Sequence, residues 1–218
     1  MARTAFRSRP FVAAVALAAA MFTAAACSNT PHEEDPQEYV RKIAAGRAAK
    51  DADFQAGTDI IPSAELKARF LPLAYFPVDP NYNVLAGLKP ATEDIQVMMP
   101  TSTGQRRKMR QVGRMEFTLK GEQMSLLAFN EVGAPDNNHV TLMFSDMTSG
   151  TETYAAGRYI DLALTASGIY ALDFNLAYHP YCYYNPAYEC PYPPAENRLK
   201  VPIHAGERMK KSSEAQPQ

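Results

Sequence analysis

Several absences narrow the possibilities before any pattern is sought. The 218-residue chain has no excess of basic charge, with 22 Lys and Arg against 23 Asp and Glu, so it offers none of the cationic surface that nucleic acid requires. No apolar run beyond the first 26 residues is long enough for a helical membrane span, and the body is expected to be soluble. There is no G-x-S-x-G, H-E-x-x-H or C-x-x-C, and no P-loop or dinucleotide fingerprint. Internal repeats are missing, and cysteine occurs only three times.

What is present begins at the N-terminus. Arg3, Arg7 and Arg9 precede the apolar stretch 11–23, with no acid among them. A basic head followed by so short an apolar stretch reads as an export signal. It ends Ala24-Ala25-Ala26-Cys27, which resembles the lipobox of bacterial lipoproteins, with Ala24 where leucine is usual. The expectation is a signal peptide over 1–26, diacylation of Cys27 and a polar tether over 27–35. Cleavage without lipid is the alternative. Ser28 resembles the residue class that permits sorting to the outer membrane, so an exported protein on its periplasmic face is expected. Without the three signal arginines the chain carries 19 basic and 23 acidic residues. About 190 residues remain, enough for one domain, expected over 36–211, with a disordered tail at 212–218.

With Cys27 lipidated, Cys182 and Cys190 are left in an oxidising compartment, where an even remainder favours a disulfide. A loop that short contributes roughly 2.5 kcal/mol on the chain-entropy model. Two thiolates with His179 or His204 could alternatively bind metal, but the spacing is not that of a zinc ribbon or knuckle. No metal or cofactor is expected; free thiols are the remaining option.

Asp35-Pro36-Gln37-Glu38 carries three marks of a helix start: a capping Asp, a Pro in the first turn and a Glu able to bond back. Val40, Ile43, Ala44 and Ala48 recur at helical spacing, with Arg41, Lys42, Lys50 and Asp51 off that face. An amphipathic helix is predicted over 36–54. Ser63 caps a second, shorter one through Glu65, Leu66 and Phe70, stopped by Pro72. From Tyr82 the period becomes two. Over 106–120, Met109, Met115, Phe117 and Leu119 fall on one side, while Arg106, Lys108, Arg110, Arg114, Glu116 and Lys120 fall on the other. This predicts a half-buried strand bent at Gly113, its basic run a solvated face. Further strands are predicted over 83–88, 95–99, 124–130, 140–146, 158–165 and 169–175. Short links make them antiparallel. The expected fold is mainly β, an antiparallel β-barrel or curved sandwich with the N-terminal helix closing an end or covering an edge.

Candidate chemistry sits at strand ends. The hydroxyl-rich stretch 146–154 reads as Asx and Ser/Thr turns leading into Arg158. On the strand 169–175, Asp173 and Asn175 share one face with Ala171, opposite Tyr170, Leu172 and Phe174. Facing the barrel interior, they would line a cavity rimmed by Tyr178 and His179; facing out, they would be wet. The segment DFNLAYHPYCYYNPAYECPYPP, from Asp173 to Pro194, has too many prolines for a helix or central strand. It is too aromatic to stay in water, so it is expected to lie against the body as a lid or the wall of a site, which favours a buried or rim position for the pair.

Three strings carry a wider likeness: LKARFLPLAYFPVDPNYNV, TETYAAGRYIDL and LDFNLAYHPYCYYNPAYECPYPPAENRLKVPIHAGER. They resemble the bacterial and archaeal family called domain of unknown function 1684, over essentially the whole mature chain. The tail is similar to the family's D-F-N-x-A-Y-x-P-x-C, C-P-x-P-P-x-x-N and A-G-E, through Asp173, Phe174, Asn175, Ala177, Tyr178, Pro180, Cys182, Cys190, Pro191, Pro193, Pro194, Asn197, Ala205, Gly206 and Glu207. Thr153, Tyr154, Gly157 and Arg158 match an upstream T-Y and G-R. The family's usual Asn is His179 here. The resemblance implies a pair of cysteines acting together, and it implies no activity.

The functional expectation is a lipid-anchored cell-envelope protein that binds a small ligand or an envelope protein near its 173–207 tail, through Arg158, Asp173, Asn175, Tyr178, Asn197 and Glu207. Catalytic residues are not identified. The alternatives are a hydrolase-like or metal-dependent enzyme using Asp173 or Glu207 with His179 or Cys182, and a purely structural envelope scaffold.

Overall fold

The computed structural model describes Met1, residues 35–135 and residues 138–211. The expected signal peptide, the lipidation site Cys27, most of the tether and the tail over 212–218 lie outside the described residues.

Helix α1, Pro36–Ala56, begins where the Asp35 side chain accepts a hydrogen bond from Gln37 N at 3.0 Å. Its packed stripe is not the predicted one. Tyr39, Ile43 and Phe54 are buried, while Val40, Ala44 and Ala48 are exposed. Lys50 and Asp51, expected off the packed face, lie with Arg47 on the same stripe as the buried residues, all three half-buried. Aromatic rings and long aliphatic stems bury more surface than alanines, and their polar tips find partners beneath the helix. Helix α2, Ala64–Phe70, is capped by Ser63, whose hydroxyl accepts from Leu66 N.

Six strands follow: β1 Asn83–Pro100, β2 Arg106–Leu119, β3 Glu122–Glu131, β4 His139–Phe144, β5 Arg158–Ala163 and β6 Ile169–Asp173. They form one antiparallel sheet in the order β5-β4-β3-β2-β1-β6. The sheet is barrel-like and nearly closed, because Tyr159 in β5 and Tyr178 just beyond β6 exchange backbone hydrogen bonds at 2.8 and 3.0 Å. Two of the predicted strands, 83–88 and 95–99, are a single strand whose register slips between Pro90 and Ile95; Pro90 has no N–H to give the ladder. A second slip, between Gln111 and Gly113, inserts Val112 as a bulge in β2. An extra residue flips every side chain beyond it. Met115, Phe117 and Leu119 therefore face the main core while Met109 faces the opposite layer, which corrects the one-sided expectation. Gly113 is needed there, since a Cβ would strike the Lys89 carbonyl.

The main core fills the inside of the curve with Phe117, Leu126, Leu142, Phe144, Ile160, Leu172 and Phe174. The outer face of β3–β5 is covered as well. Leu127, Phe129, Met143 and Tyr159 pack against Cys182, Cys190, Tyr154 and Tyr188, so the tyrosine–proline segment is a lid over the sheet. Its other side meets the helices through Phe54, Ile61, Leu73 and Tyr184. Among the described residues no helix is long and apolar enough to cross a membrane.

Candidate functional site

The strand predicted over 169–175 ends at Asp173, and Phe174–Leu176 is a 3-10 turn capped by the Asp173 side chain through Asn175 N at 2.9 Å. Asp173 and Asn175 thus lie outside the barrel, yet both are buried, because α1 covers them. Tyr39 of α1 donates to Asp173 Oδ2 at 2.7 Å and accepts from Asn175 Nδ2 at 2.9 Å. The Asn175 amide also donates to Asp79 O at 2.8 Å and accepts from Asp79 N at 3.0 Å. Burial, then the hydrogen bond to Asp173, raises the Tyr39 pKa above the usual phenol range.

Glu207 is held in place by the backbone around it. Gly206 has φ +76, and a Cβ there would strike the Ala177 and Phe174 carbonyls, so only glycine lets the tail approach so closely. The Glu207 carboxylate is buried and accepts three hydrogen bonds: from Lys50 Nζ at 2.6 Å, from Tyr184 OH at 2.7 Å and from His179 N at 2.7 Å. The A-G-E end of the tail is therefore pinned to the helix, the lid and the segment after β6 at once.

Arg158 lies behind this arrangement, fully buried. Its guanidinium pairs with Asp146 Oδ2 at 2.9 Å and donates to the carbonyls of Ile203 at 2.8 Å, Glu207 at 3.1 Å and Ala205. Burial lowers its pKa from the ordinary value, with Asp146 opposing. Asp146 also caps its own turn through Thr148 N and Oγ1, as the Asx-turn expectation had it. Asn197 is elsewhere. Strands β3 and β4 share one register pair, Phe129 with Thr141, and the Asn197 amide completes their junction. It accepts from Leu127 N at 2.7 Å and donates to Leu127 O at 2.9 Å and Met143 O at 2.7 Å. The Asn197 amide thus serves backbone partners, and Arg158 divides its bonds between three carbonyls and the Asp146 carboxylate, while its buried Nε has no hydrogen-bond partner among the described residues.

Four of the expected site residues, Asp173, Asn175, Tyr178 and Glu207, line one cleft of about 510 Å³ between α1 and the segments it covers. The α1 wall carries Tyr39, Lys42, Arg47 and Lys50, and Tyr75 lines the cleft from the segment paired with Glu207; none of the five is among the expected site residues. For Tyr39, Arg47 and Lys50 the signal is in the sequence: positions 39, 43, 47, 50 and 54 form one helical stripe, hidden because Lys50 is expected off the packed face. Arg47 donates through Nη1 to Phe76 O at 2.9 Å and stacks over the Tyr75 ring at 4.4 Å. Among the described residues its Nε and the Tyr75 hydroxyl, both buried, have no hydrogen-bond partner. Burial lowers the Arg47 pKa and raises that of Tyr75.

The other chemical candidates do not assemble. His179 is buried, its Nε2 accepting from Tyr154 N at 3.2 Å and its Nδ1 3.8 Å from Glu207, beyond hydrogen-bond reach. It is not placed as a base for Cys182. His204 is on the surface with Glu152, so the two imidazoles and two thiols considered as ligands are apart, and among the described residues no three His, Cys, Asp or Glu side chains gather as a metal site. Cys182 and Cys190 are free thiols in this structure, without the expected disulfide between them. They are nevertheless neighbours, with Cys182 N donating to Cys190 Sγ at 3.3 Å. A hydrogen bond from Cys190 lowers the Cys182 pKa to about 6, while Cys190 is pushed up by that same bond and by burial.

The profile of the family described as "Protein of unknown function (DUF1684)" matches residues 68–208. The chain belongs to that family. Its matched span holds the lid, the Arg158 cluster, Asn197 and Glu207, while α1 and its half of the cleft precede it. No functionally curated protein matches the chain. A solved structure that does is the solution NMR structure of the uncharacterized protein from gene locus rrnAC0354 of Haloarcula marismortui, at 34% identity and a TM-score of 0.63, covering 80% of this chain and 96% of that one.

Proposed function

We propose that this member of the family is an exported, lipid-anchored binding protein whose cleft under α1 takes a small molecule through an anionic oxygen group, a carboxylate or phosphate. The carrying observation is the pair of partnerless buried donors, Arg47 Nε and Tyr75 OH, on side chains that line the cleft. Buried donors are costly unless an acceptor meets them. Lys42, Arg47 and Lys50 line the cleft, Lys50 paired with Glu207, while the two carboxylates, Asp173 and Glu207, already hold donors of the protein itself. Tyr39, Ile43 and Tyr178 supply apolar wall for the rest of the ligand, the usual composition of a small-molecule site.

The enzyme alternative has less support, because Asp173, Glu207 and His179 are engaged in separate bonds and leave no base facing a nucleophile. The anchor through Cys27 rests on the lipobox-like sequence, and oxidation of the adjacent Cys182 and Cys190 to a disulfide after export would staple the lid.

A thermal-shift panel of small carboxylates and phosphate esters on the protein from residue 28 tests the reading. Ligands are expected to raise the melting temperature of the wild type and not that of Arg47→Gln. Shifts unaffected by the substitution, or no shift from any anion, would remove it. For the anchor, cells fed labelled palmitate are expected to label the full-length chain and not Cys27→Ser.

A further inference from the structure

A second cavity, of about 430 Å³, opens on the outer face of β3–β5, where the lid turns back over the sheet. We infer that it is a binding site for a small organic cation bearing an ammonium group. Four tyrosines line it as two edge-to-face pairs: Tyr159 with Tyr178, centroids 5.9 Å apart, and Tyr181 with Tyr188, 5.3 Å apart. Aromatic rings gathered around a cavity attract cations through the ring quadrupole, and quaternary ammonium groups are recognised in this way.

The charge around the space has the complementary sign. Glu131, Asp161 and Glu189 line the cavity against a single guanidinium, Arg107, which lies 3.5 Å from Glu131 and 3.4 Å from Glu189. Among the described residues Asp161 has no cationic partner. It is instead fixed by two hydroxyls, Thr141 donating to Oδ1 at 2.6 Å and Tyr178 to Oδ2 at 2.5 Å. Each of its oxygens keeps a lone pair, and the carboxylate is exposed at the rim. A carboxylate oriented in advance beside two aromatic rings loses little freedom when a cation arrives. The cavity is distinct from the cleft under α1. Tyr178 is the wall between them, with Lys50 over its ring at 4.8 Å on the cleft side and its hydroxyl on Asp161 on the other.

Isothermal titration with choline, and with its uncharged isostere in which carbon replaces the quaternary nitrogen, tests the inference. The titration is run at a pH of about 8, above the ordinary range for imidazole. Choline is expected to bind at least about ten-fold more tightly than the isostere, and Tyr181→Ala and Asp161→Asn each to weaken it by about three- to ten-fold. Arg47→Gln should leave choline binding unchanged, which separates this site from the cleft. Equal binding of the isostere, no choline binding, or binding indifferent to both Tyr181→Ala and Asp161→Asn would overturn the inference. Asp161→Asn keeps the shape of the rim, so it remains decisive if Tyr181→Ala perturbs the lid.

Discussion

Lys50 Nζ sits 2.6 Å from Glu207 Oε1 and ties the first helix to the A-G-E segment near the end of the described chain. The carboxylate is buried and the ammonium about a quarter exposed, at 26%, so the pair lies between a surface bridge and a buried one. Lys50→Met should cost about 1–2 kcal/mol in urea unfolding, less than breaking a fully buried pair, because Tyr184 and His179 N still hold the carboxylate. A double-mutant cycle with Glu207→Gln is expected to recover most of that loss.

Asn197 is expected to matter for folding alone. Asn197→Ala orphans Leu127 N and two strand carbonyls where β3 and β4 meet, and should cost about 3 kcal/mol by chemical denaturation. Ligand affinity in the α1 cleft, measured on the fraction still folded, should be unchanged.

His179 gives the stability a pH dependence with a definite sign. Burial, helped by the charges of Arg158 and Lys50, lowers its pKa well below 6.5. The unfolded chain therefore takes up a proton that the native ring refuses, so this contribution is complete above pH 6.5 and is lost progressively below it. His179→Asn, which carries the residue usual in the family, should flatten the fall in melting temperature between about pH 6.5 and 4.5. A difference between the two proteins that does not vary with pH would contradict this.

The thiol pair should behave asymmetrically. The hydrogen bond from Cys190 lowers the Cys182 pKa and raises that of Cys190, so Cys182 is expected to be the attacking thiolate. Protein exported to an oxidising compartment and denatured under alkylating conditions is expected to count no free thiol, and protein made in the cytoplasm two. Two thiols from exported protein would show that the lid holds by packing alone.

The β-rich barrel-like fold was legible because its strands alternate and its turns carry Gly, Asn and Asp. What hid was whatever depended on a single added residue or a distant partner. Val112 reverses the face of Met109, and no count along the chain reveals a bulge. Asp173 and Asn175 could be placed on a strand face, but not beneath a helix more than 100 residues earlier in sequence. Lys50 looked solvated because charge normally is; only the assembled fold shows a polar cleft under its aliphatic stem and that of Arg47. Arg158 and Asn197 were recognisable as unusual residues, yet apart from Asp146 their partners are backbone carbonyls and amides, which sequence does not display.

The most direct measurement is the Nε–H resonance of Arg47, followed by NMR while a small carboxylate or a phosphate ester that stabilises the protein is added. If the cleft binds an oxygen anion through this donor, the resonance shifts to saturation with the same affinity seen calorimetrically, and Tyr75 responds with it. If the ligand binds while Arg47 Nε–H stays unmoved, the orphaned donor is not its partner and the cleft is not the site.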